Sequence, residues 1–350
     1  CPPPEAFAVK DGQRGRLGVL FALVGVVVVV ALLAGAVFVY GRIQLEAADT
    51  GTEAATVITV TPGESLDQLA NSLESQGLIK SALFFSAYAR IRNVHLHAGL
   101  YQVDSAMEAS EIINVLDGPQ YCRPVTFVIP EGFTIDQIAE RIGTTKGLDI
   151  TRTEYLAALG QSGYTAPFLG IRPAGDTSLE GFLFPATYTV PDCATAQQVV
   201  QKQLAAFAQN VVPKLPSSST EAYDDLITAS IIQAEARFAA DFPLVASVVN
   251  NRLAAPMDLQ IDAIVMYGLH MSGQPMSPAD EAIHTPYNSY QNPGLPPTPI
   301  DSPGLATLGG ALAPASTTYL FYVTDPCGHN HYSVTEAVHE QQVSQYASSC

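Results

Sequence analysis

Residues 226–253 read LITASIIQAEARFAADFPLVASVVNNRL. Within this stretch Ile227, Ile231, Glu235 and Phe238 recur at steps of four, four and three, the period of one helix face. The spacing predicts a helix carrying one carboxylate among apolar neighbours. Asp241 and Pro243 are the residue types that stop such a helix and start the next, which carries Val245 to Leu253. A carboxylate on an apolar face is desolvated, and desolvation favours its neutral form. A carboxylic acid still protonated near neutral pH is what a general acid requires. On spacing alone an equally open alternative is that Glu235 snorkels to water, or pairs with Arg237 or Arg252.

Upstream of this stretch the chain has a repeated grammar. Val57-Ile-Thr-Val60 leads through Pro62-Gly63 into Ser65-Leu-Asp-Gln-Leu-Ala70. Val125-Thr-Phe-Val-Ile129 leads through Pro130-Glu-Gly132 into Thr134-Ile-Asp-Gln-Ile-Ala139. Each is a β-branched strand, a Pro/Gly turn and a helix opened by a capping box, Ser65 with Gln68 and Thr134 with Gln137. This pattern fits a duplicated small module, with two ordinary strand–helix junctions as the alternative. Residues 80–92 (KSALFFSAYARIR) read as a further helix, His97 to Val103 as a strand, and Glu108 to Leu116 as a helix ended by Asp117-Gly118. Residues 56–120 therefore form a compact α+β unit. Downstream, residues 285–304 are dense in Pro, Gly, Asn and Tyr without a period, as functional loops often are.

The amino-terminal region is of a different kind. Leu17 to Tyr40 contains no charged residue, and a helix of that length spans roughly 36 Å, enough to cross a bilayer core of about 30 Å. Lys10, Arg14 and Arg16 precede it; only Arg42 closely follows it, and then Glu46, Asp49 and Glu53. The positive-inside rule then places residues 1–16 in the cytoplasm and the folded body outside the cell membrane. A cleaved signal peptide is the rival reading, but the run is longer than a usual signal core and no clear A-x-A site ends it. Residues 41–55 read as a polar linker. A formal charge of −17 argues against nucleic acid as a partner, since phosphate binding needs a basic surface. Cys122, Cys193, Cys327 and Cys350 are free to pair outside the cytoplasm, in a pattern that spacing does not fix, and they form no zinc motif.

Several blocks in order resemble one family. Ala229-Ser-Ile-Ile-Gln-Ala-Glu235 and Val245–Leu253 are similar to the core of the endolytic lytic transglycosylases of the YceG/MltG type. Leu179-Glu-Gly-Phe-Leu-Phe-Pro185, Leu259-Gln-Ile-Asp262 with Tyr267-Gly268, and Thr285-Pro-Tyr-Asn-Ser-Tyr290 resemble further blocks of that family. So do Gly294-Leu-Pro-Pro297, Ile300–Gly304, Pro314-Ala315 and Tyr319–Val323. The resemblance implies an α+β fold: one transmembrane helix, a LysM-like module over residues 56–120, and a catalytic domain over residues 121–350 that contains the second strand–turn–helix unit at 125–142. It implies cleavage within peptidoglycan glycan strands, at the MurNAc–GlcNAc β-1,4 bond, leaving 1,6-anhydro ends and terminating strand elongation. No cofactor or metal is implied. The partners implied are the glycan, the membrane and a glycan polymerase (a penicillin-binding protein).

By position the acid/base residue is Glu235, and Gln233 stands where many members carry a preceding carboxylate. Gln260, Asp262, Tyr287, Asn288, Tyr290 and Glu180 are the candidate substrate-binding residues, each with bracing of its loop as the plain alternative. The chain departs from the pattern at Ala186, at Ala263-Ile264, and at Asn330, which replaces the usual His and is flanked by His329 and His331. A catalytically inactive wall-binding or polymerase-recruiting protein is the alternative function.

Overall fold

The computed structural model describes residues 12–49, 55–255, 257–271 and 276–348. The expected cytoplasmic segment lies largely outside these residues, as do Cys1 and Cys350. Helix α1, Gly12–Leu45, contains the apolar run, and from Phe21 to Tyr40 its side chains are exposed. It continues five residues beyond the expected span. The start of the expected linker is therefore helical: Arg42, Ile43, Gln44 and Leu45 are compatible with a helix and no breaker intervenes.

The chain divides into two compact units, residues 1–122 and 123–350. In the first, β1 (Thr56–Val60) leads through α2 (Leu66–Ser75) and α3 (Ala82–Ile91) to β2 (Gly99–Val103), followed by α4 (Ala109–Leu116). β1 and β2 pair antiparallel, Thr56 opposite Val103 and Val60 opposite Gly99. Ile58, Leu69, Leu73, Phe85, Tyr101 and Ile112 are among the residues filling its core.

The second unit opens with the same order. β3 (Pro124–Val128), α5 (Ile135–Gly143), α6 (Arg152–Leu159), β4 (Thr187–Pro191) and α7 (Ala196–Asn210) again give β-α-α-β-α, with β3 and β4 antiparallel. The repeated sequence grammar thus extends to a repeated topology, in which residues 160–186 form a longer connection before β4, the counterpart of β2. Both capping boxes form: Gln68 N–H donates to Ser65 and Gln137 N–H to Thr134, each at 3.3 Å. Two residues before each cap, Gly63 and Gly132 have φ of 83° and 77°, a left-handed turn that a residue with a Cβ enters at a cost.

The rest of the unit wraps one buried helix. α8 (Ser219–Glu235) is followed by α9 (Phe242–Ala254), α10 (Asp262–Gly268), α11 (Leu305–Leu312), the antiparallel hairpin β5 (Phe321–Thr324) and β6 (Asn330–Ser333), and α12 (Glu336–Tyr346). Leu226 to Ile232 are buried without interruption, so α8 is enclosed on every side rather than on one apolar face. The expected helix through Phe238 is not formed. α8 ends at Glu235, Ala236 is extended, and Phe238 is exposed. Inside α8, Ser230 donates to the Ile227 carbonyl at 2.7 Å and accepts from Ile300 N–H at 3.0 Å. That pair of bonds satisfies the hydroxyl and pins the 285–304 loop to the core. Cys122, Cys193 and Cys327 are in disulfides.

Candidate active site

Glu235 is the last residue of α8 and opens into a cleft of about 560 Å³. α9 supplies one wall, the 259–262 segment and Tyr290 a second, and β5 with α12 a third. The residue is half-buried, with its carboxylate enclosed by protein atoms. Tyr322, on β5, donates to Glu235 Oε2 at 2.8 Å. Burial raises the Glu235 pKa, and the neighbouring Asp262 charge adds to that; the Tyr322 hydroxyl and the Ala263 N–H oppose it. The position at a helix C-terminus, where the backbone dipole is negative, also disfavours a carboxylate. The shift runs in the expected direction, with burial as its first cause.

Neither arginine considered as a partner pairs with Glu235. Arg237 donates to the Cys327 carbonyl at 3.3 Å and lies over the Phe238 ring. Arg252 is buried and makes no ion pair among the described residues. Its guanidinium donates to the Leu320 and Leu259 carbonyls, both at 2.6 Å, and stacks over Phe321 at 5.1 Å. It therefore ties β5 to the 258–260 turn across the base of the cleft. Gln260 in that turn has φ of 48°, a conformation costing a non-glycine residue about 1 kcal/mol or more. Its N–H is held by the Ser289 carbonyl at 2.9 Å, and the Ser289 hydroxyl bridges both backbone groups of Ile261. Asp262 follows, and its Oδ1 accepts from the Tyr290 hydroxyl at 2.6 Å.

Four of the seven residues singled out from sequence, Glu235, Gln260, Asp262 and Tyr290, thus share one cleft. The other three do not line it. Asn288 is 0% exposed. Its amide donates to the Glu281 and Ile283 carbonyls and accepts from Tyr290 N–H, which commits it to bracing the loop. Tyr287 meets Tyr267 edge-on and bonds Thr298 through its hydroxyl at 2.8 Å. Glu180 is buried in a separate hollow of about 640 Å³ beside Asp136, Glu140, Arg152 and His270. There it caps α5, both its oxygens accepting from Ile135 N–H at 3.1 Å, and Tyr267 donates to it at 3.0 Å. These three side chains are taken up by contacts within the protein, outside the cleft.

Burial raises the Glu180 pKa to about 7, against the hydrogen bonds it accepts. A carboxylate raised in the folded state contributes stability below its unfolded pKa and loses it as pH rises through the folded value. The wild-type protein should therefore lose stability between about pH 4.5 and 7, by up to roughly 3 kcal/mol from this group. Glu180→Gln should flatten that loss. Urea unfolding at pH 5 and pH 7.5 checks it, and equal pH dependence in both proteins would contradict it.

Around the departure at Asn330, neither flanking histidine lines the cleft. His331 Nε2 lies 3.1 Å from Asp325 Oδ2 and its ring stacks on Tyr346, while His329 Nδ1 is 3.5 Å from the same carboxylate. The His329 N–H and His331 hold the Asp325 pKa down to about 2. Asn330 itself accepts from Thr324 across the hairpin at 2.6 Å. His339 is the histidine that lines the cleft, stacked on Phe321. Gln233 is also elsewhere: its Oε1 accepts from Gly304 N–H and the Thr307 hydroxyl at 3.0 and 3.1 Å. Sequence reasoning missed Tyr322, Arg252 and Ser289 as site residues, although all three fall in blocks it had marked.

A profile of the YceG-like family matches residues 58–345. The chain belongs to that family. The resemblance read from the motif blocks is thereby borne out over most of the sequence. A relative from Streptococcus pneumoniae named endolytic murein transglycosylase is 29% identical over 360 aligned positions, covering 94% of this chain and 65% of the relative. The chain thus spans about two thirds of that relative's length. A Bacillus subtilis protein of the same name is 28% identical, covering 91% of this chain and 92% of the relative. The crystal structure of a yceG-like protein from Listeria monocytogenes aligns with a TM-score of 0.56 at 29% identity, over 83% of this chain and 99% of that one.

Proposed function

We propose that the chain is a lytic transglycosylase that cleaves peptidoglycan glycan strands internally, between MurNAc and GlcNAc. The observation that carries this reading is Glu235, a carboxylate enclosed at the head of the cleft, kept toward its neutral form by burial and held by the Tyr322 hydroxyl. The names of the relatives supply the substrate class.

In the proposed reaction, protonated Glu235 gives its proton to the glycosidic oxygen as the bond to C1 of MurNAc breaks. GlcNAc leaves with that proton as a free 4-hydroxyl. The Glu235 carboxylate then takes the proton from the 6-hydroxyl of the same MurNAc, whose oxygen bonds to C1 and closes the 1,6-anhydro ring. No water is consumed, and one carboxylate serves as acid and then base. The usual second glycosidase carboxylate is not needed as nucleophile, because the sugar supplies it. Tyr322 stabilises the carboxylate formed between the two steps. Asp262, oriented by Tyr290, provides negative charge near the developing oxocarbenium.

Mass spectrometry of products from purified uncrosslinked glycan tests the reading. Anhydro-ended internal fragments are expected. Hydrolysed reducing ends would make the protein a hydrolase, and glycan binding without cleavage would leave it a wall-binding or polymerase-recruiting protein. Tyr322→Phe removes the hydrogen bond to the charged form, so the Glu235 pKa should rise further. The alkaline limb of kcat/KM should move up in pH while maximal turnover falls about tenfold. An unmoved limb would show that Tyr322 does not set the acid.

α1 supports single-pass anchoring. Phe21–Leu45 is long and apolar enough to cross a membrane, and basic residues precede it. In this reading the amino terminus is cytoplasmic and the chain after α1 is extracytoplasmic. The β-α-α-β order of residues 56–103, with its two strands paired, supports a LysM-like module. A polymerase partner rests on the family resemblance.

A further inference from the structure

The carboxyl end of α1 packs on α3 within the first unit, and the order of contacts gives α3 a direction. Lys80, at the entry to α3, lies 3.6 Å from Glu46 and donates to the Ile43 carbonyl at 3.4 Å. One turn later the Phe84 ring meets Tyr40 edge-on at 5.7 Å and packs against Gly41, where a Cβ would lie 3.1 Å from it. As the number rises from 80 to 84 along α3, its partner on α1 falls from 46 to 40. The chain entering α3 therefore descends along α1 toward the apolar span.

The composition of α3 suits that direction. Ala82, Phe85, Ser86 and Ala89 face the core of the unit. The opposite stripe carries Leu83, Ala87 and Ile91, at i, i+4 and i+8, with one charge among them, Arg90, which is exposed and paired with Asp67 at 2.6 Å. Leu83 is 74% exposed and Ile91 81%. A short helix with an outward face of this kind is unusual at a water interface, where polar residues are expected. Tyr40 and Phe84 meet at the level where the α1 span ends, the place of interfacial aromatics. Arg42 and Arg92 flank the stripe, both exposed and without an ion pair among the described residues, in a chain of formal charge −17.

We propose that α3 lies in the interfacial layer of the leaflet from which α1 emerges. Leu83 and Ile91 enter the boundary between headgroups and acyl chains, and Arg42 and Arg92 meet lipid phosphates. The inference rests on the reading of α1 as a membrane span. It makes the first unit a body seated on the lipid surface rather than one held on a free tether.

The chain contains no tryptophan, so Leu83→Trp, Ile91→Trp and Val28→Trp each give a single reporter, and all three sites are exposed. The full chain carrying each is reconstituted into phosphatidylcholine–phosphatidylglycerol vesicles containing lipids brominated at shallow or deep acyl positions. Emission from Val28→Trp should be lost to deep bromines. Emission from Leu83→Trp and Ile91→Trp should shift to the blue and be lost chiefly to shallow ones. Quenching at residue 28 without quenching at 83 and 91 would leave the anchor standing and overturn the seating of α3. No quenching at any site would overturn both. A blue shift at 83 and 91 without quenching would mean that protein, such as a second copy, covers the stripe, which also overturns the proposal.

Discussion

Glu235→Gln is expected to lower production of anhydro-ended fragments by about 10³-fold or more, within the range that a general acid contributes together with its second role as base. The amide fits the same space and still accepts from Tyr322, but it has no proton to give to the glycosidic oxygen. Folding should be unimpaired and slightly favoured near neutral pH. Burial raises the Glu235 pKa, so this group contributes stability below its unfolded pKa, and that contribution is lost as pH rises through the folded value. Gln removes the loss. In the wild-type protein, kcat/KM should fall with rising pH as Glu235 loses its proton, and the pKa of that limb should lie above the ordinary carboxylate range. Glu235→Asp shortens the reach by one methylene and should recover only a small part of the rate. The measurement is a time course of anhydro ends from purified glycan, beside thermal unfolding of each variant. Wild-type turnover in Glu235→Gln would remove Glu235 from the proposed mechanism. Its companion carboxylates in the cleft, Asp262, Glu336 and Glu340, would then be next to test.

What sequence could and could not supply follows the range of the interactions. The capping boxes at Ser65 and Thr134 involve residues three apart, and the turns before them need a glycine at one position, so both repeats were legible down to the hydrogen bond. The apolar run of α1 was legible for the same reason, although its helix continues into what composition marks as linker. Glu235 was singled out from a period that the structure keeps only in part: Ile227, Ile231 and Glu235 lie on α8, but residues 226–232 are buried all round and the helix has ended before Phe238. The surroundings of Glu235 were not legible, because Tyr322 arrives from 87 positions away. Asn288 and Tyr290 illustrate the limit most sharply. They are two residues apart in one loop and equally suited in chemistry to a sugar. The turn buries the first as a peg under the loop and delivers the second to Asp262. Which side chain faces the cleft depends on the 285–304 path, and that path is fixed by bonds to α8 and the 259–262 segment, far away in sequence.

Arg252→Met should be the most disruptive change that leaves every proposed substrate contact in place. The guanidinium is buried beneath the cleft with backbone carbonyls and an aromatic face as its partners. Two effects oppose each other. Removing a buried charge without a counter-ion relieves a desolvation cost. Removing the donors leaves the Leu320 and Leu259 carbonyls unpaired, at about 1–3 kcal/mol each, and forfeits the Phe321 stack. Met is near enough in length to fill the space, so no large cavity offsets the comparison. The unpaired carbonyls should dominate, with a net loss of about 2–4 kcal/mol. Arg252→Lys keeps the charge, but a single ammonium cannot reproduce the fork that reaches β5 and the 258–260 turn together, and an intermediate loss is expected. The functional effect should exceed the stability effect. The φ of 48° at Gln260 is strained, and Arg252 on one side and Ser289 on the other hold it. Freed on one side, the turn can relax and carry Asp262 and its Tyr290 contact away from Glu235. A displacement on the order of 1 Å would cost about 10²-fold in turnover. Urea unfolding gives the first number. Turnover measured at a denaturant-free temperature well below the variant's midpoint gives the second, so that loss of folded protein does not masquerade as loss of rate. A variant with wild-type stability and turnover would show that β5 and the 258–260 turn keep their places without Arg252. The strain at Gln260 would then have to be held by Ser289 alone.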